Sequence, residues 1–120
     1  MVSPFRAHYA LYQANKVLND PGNAKTITVT QDLQLCELVS VGAAETRTLT
    51  DPTKPGIRFT LRMKTDGGDV VVTAAHGLNV TGHTTATFAD VGDLIDMVSV
   101  THTTGYRWEI LTNTGSVSTA

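Results

Sequence analysis

Gly56-Ile57-Arg58-Phe59-Thr60-Leu61-Arg62-Met63-Lys64-Thr65-Asp66-Gly67-Gly68-Asp69-Val70-Val71-Val72-Thr73-Ala74-Ala75 is the stretch on which the fold turns. Ile57, Phe59, Leu61 and Met63 alternate with Arg58, Thr60, Arg62 and Lys64, the period-two pattern of a strand with one face in a core. The opposite face carries three positive charges, which meet either water or an acidic partner. Asp66-Gly67-Gly68-Asp69 reads as a hairpin turn, with glycine supplying the positive φ of a tight antiparallel connection, and residues 70–75 read as the strand that pairs back.

Outward from this pair the same signals recur. Short alternating or apolar segments at 25–30, 33–41, 45–50, 78–81, 85–89, 94–101 and 106–112 are separated by Gly, Pro and Asp. The last two form a second hairpin across His102-Thr103-Thr104-Gly105, and Tyr106, Trp108 and Ile110 share its inner face, with the tryptophan as core anchor. Twenty threonines and ten glycines favour strands and turns over helices. Strands this short and evenly spaced predict an all-β fold, an antiparallel β-sandwich or barrel of jelly-roll type. No internal repeat with a period of 20–50 residues is visible. Upstream, Ser3-Pro4 offers a helix start, and Ala7, Ala10, Leu11, Ala14, Val17 and Leu18 keep helical spacing until Asn19-Asp20-Pro21-Gly22 ends it. The expected organisation is an N-terminal arm with a short helix over 1–24, a β-domain over 25–116 and a flexible tail over 117–120.

Composition removes several function classes. A net charge of −2 with singly scattered Lys and Arg provides no basic stripe for phosphates, so no nucleic-acid partner is expected. No run of eighteen apolar residues predicts a membrane span, and residues 1–20 lack the pattern of a secretory signal, so assembly in cytoplasm is expected. The single cysteine, Cys36, lies in an apolar run and reads as a buried hydrophobe. The histidines, His8, His76, His83 and His102, lie in four separate segments. A metal site from His76 and His83 with Asp90 or Asp93 competes with plain loop positions, and the loop reading is preferred. The turns Asp66-Gly67-Gly68-Asp69 and Asp90-Val91-Gly92-Asp93 hold paired carboxylates of the kind calcium takes, but Asp and Gly are also what turns are made of. No catalytic residue, cofactor or metal is assigned, and no enzymatic activity is expected. On the arm, Pro4, Phe5, Tyr9 and Tyr12 are the expected partner-binding residues, because aromatic side chains bury large area at low entropic cost.

Residues 45–49, 52–58, 66–75, 84–90, 105–108 and 113–116 together resemble a module of small virion proteins of tailed bacteriophages, especially capsid decoration or cement proteins. The resemblance covers roughly residues 25–116. It implies a protein of the virion's capsid surface that binds the assembled head and stabilises it by bridging subunits of the major capsid protein. It also implies a homo-oligomer, a trimer ahead of a dimer, whose weak contacts multiply. The alternatives are a tail, fibre or baseplate component, or a carbohydrate-binding module.

Overall fold

A computed structural model describes residues 16–79 and 82–120 of the chain. Ten strands, and no helix among the described residues, follow in order: β1 (Val17–Leu18), β2 (Lys25–Ile27), β3 (Gln34–Val39), β4 (Glu45–Leu49), β5 (Arg58–Thr65), β6 (Val70–Ala74), β7 (Thr85–Phe88), β8 (Leu94–His102), β9 (Gly105–Thr114) and β10 (Ser118–Thr119). They form two five-stranded sheets, sheet I in the order β1-β3-β5-β8-β9 and sheet II in the order β10-β7-β6-β4-β2. The alternation within each strand decides what lies between them. Cys36, Leu38, Phe59, Leu61, Met63, Ile95, Met97 and Trp108 of sheet I meet Ile27, Leu49, Val70, Val72, Ala74, Ala86 and Phe88 of sheet II, all buried. Trp108 packs at 5.8 Å and 44° against Phe59 and donates its Nε1–H to the Thr50 carbonyl at 2.9 Å, so the core anchor read from the hairpin also ties the two layers together.

The all-β character and the two-layer core agree with the sequence reading; the strand directions do not. The first six strands alternate between the sheets, and β1-β3, β3-β5, β2-β4 and β4-β6 are all parallel pairs. Parallel neighbours cannot be joined by a tight turn, and here each return path is a strand of the opposite sheet. The chain therefore winds as a flattened coil, which β7 to β10 then close with antiparallel pairing. The coil repeats: Gln34 lies beside Phe59 and Leu38 beside Met63, as Glu45 lies beside Val70 and Leu49 beside Ala74, each a step of 25 residues. Burial repeats while residue identity does not, which is why no sequence repeat is visible.

The turn at 66–69 is accordingly a corner between sheets rather than a hairpin. Neither Gly67 nor Gly68 has a positive φ. They are glycines because this corner stacks on the corner at 40–44: a Cβ on Gly67 would strike the Ser40 carbonyl and the Gly42 nitrogen, and one on Gly68 the Ala43 carbonyl. Ser40 fastens the contact, accepting at Oγ from Gly67 N–H at 2.9 Å and donating to the Gly68 carbonyl at 2.6 Å.

Three boundaries also shift. Val17 and Leu18, read as helical, are the strand β1 beside Leu35 and Cys36, and the helix expected upstream of them lies outside the described residues. Of the strand expected at 78–81, Leu78 and Asn79 form a bend, with Leu78 in the core, and residues 80 and 81 lie outside the described residues. Residues 117–120 are not a loose tail: Val117 is buried, Ser118 and Thr119 pair with β7, and the Ala120 carbonyl accepts from the Thr84 and Thr85 N–H groups. The threonine excess has a place as well. Thr26, Thr48, Thr73 and Thr85 stand side by side in one rank across the outer face of sheet II, where β-branched side chains suit a pleated, solvated surface.

Candidate partner-binding face

The outer face of sheet I is built by the residues that alternate with its core positions. β3 presents Leu35, Glu37 and Val39, β5 presents Arg58, Thr60 and Arg62, and β8 presents Leu94, Asp96, Val98 and Val100, all of them half-buried. The cross-strand register pairs their charges. Arg62 lies beside Glu37 and donates from Nη1 to its Oε2 at 2.9 Å. Thr60 lies beside Asp96 and donates to Oδ1 at 3.2 Å, while the guanidinium of Arg58 holds the other oxygen of the same carboxylate. Two of the three positive charges read from residues 57–64, Arg58 and Arg62, are thus answered by acids of their own sheet. These pairs are part-exposed and contribute little to stability, about 0–1 kcal/mol each. Their consequence is a face on which Arg58 and Arg62 are already neutralised and between whose ion pairs Leu35, Val39, Leu94 and Val98 stand half-buried.

Two grooves cross this face. One, of about 380 Å³, runs between Leu33, Leu35, Arg58, Thr60, Leu94 and Asp96. The other, of about 420 Å³, lies at the β1 edge between Val17, Leu18, Asp20, Glu37, Val39 and Lys64. Leu33 stands at the lip of the first with its side chain 54% exposed and its backbone at φ 61°, a left-handed conformation that costs a leucine about 1–2 kcal/mol. The strain is held by Leu33 N–H donating to the Arg58 carbonyl at 2.9 Å and by Asp32 accepting from Arg58 N–H at 2.7 Å. An exposed leucine kept in a strained conformation points to a use for the side chain.

At the second groove the chain enters the fold through a buried ion pair. Arg47 is 1% exposed, on the core side of β4, and its guanidinium grips Asp20 with Nε at 2.6 Å from Oδ1 and Nη2 at 2.8 Å from Oδ2. Nη2 shares its two hydrogens with Glu45 Oε1 at 2.8 Å and the Val39 carbonyl at 3.0 Å as well, and Nη1 donates to the Thr46 carbonyl at 2.9 Å. Asp20 also accepts from the Val39 and Gly22 N–H groups at 2.7 and 3.2 Å. Burial pushes the Asp20 pKa up, but Arg47 and these two N–H donors outweigh it and hold the carboxyl below its ordinary value. The point at which residues 1–15 join the body is therefore fixed.

Other residues singled out in the sequence have structural places. Pro4, Phe5, Tyr9, Tyr12 and His8 lie outside the described residues. Asp93 is buried and accepts from the N–H groups of Ala89, Asp90 and Ser116 at 3.1, 3.1 and 2.9 Å, so the carboxylate weighed for calcium faces donors that a cation would have to displace. His83 Nδ1 is bonded to Thr119 Oγ1 at 2.8 Å, and it is His102, not His83, that lies beside His76. Asp66 accepts from Gly68 N–H in the stacked corner. Cys36 is fully buried as expected, and burial, reinforced by the nearby Asp20 charge, pushes its thiol up to about 12. Native protein at pH 8 is expected to resist an aromatic disulfide reagent and to react with one equivalent only on unfolding; immediate labelling would contradict this packing.

Sequence reasoning missed Leu33, Leu35, Leu94 and Asp96 as candidates. A signal existed in the segment 33–41, where apolar residues occupy both phases, Leu35 and Val39 on one and Cys36 and Leu38 on the other; such a strand reads as covered on both faces. No protein-family model matches the sequence, and no curated protein matches it.

Proposed function

We propose that this chain is a capsid decoration protein of a tailed bacteriophage, which binds the assembled head through the outer face of sheet I and bridges subunits of the major capsid protein. The observation that carries the reading is Leu33: a strained, exposed leucine at the lip of a groove that runs between Leu35 and Leu94, on a face where Arg58 and Arg62 are already paired, is a contact prepared for another surface. The virion-module resemblance of residues 25–116 supplies the kind of surface. Strand β1 and the Asp20–Arg47 pair lie at the edge of the same sheet, and Pro4, Phe5, Tyr9 and Tyr12, earlier in the sequence, would add contacts on the same capsid joint. A symmetric homo-oligomer, a trimer first, would multiply these contacts.

The test is cosedimentation of the purified chain with mature heads that lack it, followed by challenge of the decorated heads with heat and low salt. Binding with gained resistance is expected; no binding, or immunogold label on tails in intact virions, sinks the proposal. Leu33→Gly separates the partner contact from the fold. Glycine relieves the left-handed strain, so the free protein is expected to gain up to about 1 kcal/mol while head binding weakens at least tenfold. A variant that binds as well as the parent would remove Leu33 from the interface.

A further inference from the structure

At the end of the molecule opposite the glycine corners, the tip of the β8-β9 hairpin meets the turn that follows β6, and two histidines face each other across the junction. The ring centroids of His76 and His102 are 5.9 Å apart, with the ring planes 37° from parallel. Asp51, just past the end of β4, binds His76 twice: Oδ1 accepts from the His76 backbone N–H at 3.1 Å, and Oδ2 lies 3.4 Å from the ring nitrogen Nδ1. That same Nδ1 is 3.0 Å from the Tyr106 carbonyl. A carbonyl and a carboxylate can only accept, so Nδ1 carries a proton, and in the neutral ring Nε2 then holds the lone pair. Nε2 has no partner among the described residues. His76 Cε1 lies close to where a side chain on Gly105 would begin, so the ring edge runs along the start of β9, and Gly105 is the register partner of His102.

We propose that His76 and His102 form a two-imidazole site for a divalent transition ion of borderline softness, Zn²⁺, Ni²⁺ or Cu²⁺, with Asp51 and the Tyr106 carbonyl orienting His76 from behind. Three features argue for it. Ligating histidines characteristically give their other ring N–H to a carboxylate or a backbone carbonyl, and His76 has both. With metal–nitrogen bonds of about 2.0–2.1 Å and a ring centre roughly 1.1 Å behind each nitrogen, two imidazoles on one ion have centroids no more than about 6.4 Å apart, and 5.9 Å lies inside that reach. Both rings are partly exposed, so the remaining coordination positions open to water. Among the described residues no three His, Cys, Asp or Glu side chains gather, which makes this a two-ligand site and the ion exchangeable, unlike a closed structural zinc. The ion would join the hairpin of sheet I to the turn of sheet II, so binding is linked to folding.

The test uses the full chain and the metal alone. Substoichiometric Cu²⁺ is expected to broaden the ring proton resonances of His76 and His102 first and to spare His83, which needs no substitution and no refolding. Calorimetric titration with Zn²⁺ is expected to show one site per chain and a melting temperature that rises with Zn²⁺ concentration. His102→Gln and His76→Gln each lose binding at least tenfold, Asp51→Asn weakens it about tenfold through the orientation of His76, and His83→Gln leaves it unchanged. Zn²⁺ affinity unaltered in His102→Gln, or copper broadening that reaches His83 as early as His76, overturns the proposal.

Discussion

Arg47→Met is expected to destabilise the protein by about 3–5 kcal/mol at pH 7, a large share of the total stability of a single domain. Methionine fills much of the same space, so the loss is not one of volume. It arises because Asp20, with its side chain 8% exposed, keeps its charge and loses the bidentate partner that offset its desolvation, and the Val39 carbonyl and the Thr46 carbonyl, which keeps the Ala24 N–H, each lose a donor at the same moment. The pH dependence identifies the cause. Asp20 has its pKa lowered in the folded state, so in the parent its contribution is present above the ordinary carboxylate value, near 4, and is lost as pH falls through the lower folded value. In Arg47→Met only the burial that raises the pKa and two N–H donors that lower it remain. Asp20 then takes up a proton more readily, and the stability gap between parent and variant narrows as the solution is acidified. Urea unfolding at pH 7 and pH 4 measures both values. A gap that stays constant across that range would mean the guanidinium acts only as packing.

How much of this arrangement was legible in the sequence depends on which physical signal carried it. The strand at 57–64, the β8-β9 hairpin, the core role of Trp108 and the burial of Cys36 follow from period-two alternation and turn chemistry, and the structure agrees at each. Strand direction did not follow, because alternation is the same whether the neighbour runs parallel or antiparallel, and two glycines before a valine-rich segment look the same in a hairpin and in a corner. Arg47 was readable in principle. Leu49 is buried and two residues away, so the phase of β4 places Arg47 inward as well, and an inward charge demands a partner. Its partner, Asp20, is 27 residues away in a segment that resembled the end of a helix, and only the winding of the chain brings the two together. The candidate face has the same history: Glu37 and Arg62, like Arg58 and Asp96, become neighbours through register, not through spacing in the chain. Only the apolar outward phase of β3 was local enough to be seen.

The stacked corners give the second large effect, and one that separates the two readings of residues 66–69. If these residues formed a hairpin, Gly67 and Gly68 would be needed for positive φ, and Asn, which tolerates the left-handed region, would replace them at small cost. In the wound coil neither has a positive φ, and each is a glycine because backbone from the 40–44 corner occupies the place of a Cβ. Backbone cannot move aside as the end of a flexible side chain can, and the corner is held from behind by Ser40. Gly68→Ala is therefore expected to cost about 3 kcal/mol, at the upper end for overpacking, or roughly 10 °C in Tm, and Gly68→Asn at least as much. Gly56 is the contrast. Its φ is +84° with open space around the missing side chain, so Ala there costs about 1–2 kcal/mol of backbone strain, and Asn, at home in that region, recovers part of it. Thermal unfolding of the four variants decides between the readings. Rescue by Asn at 56 but not at 68 follows from a chain that winds from sheet to sheet with its corners in contact, whereas rescue at both positions would mean that β5 turns back on β6 as a hairpin.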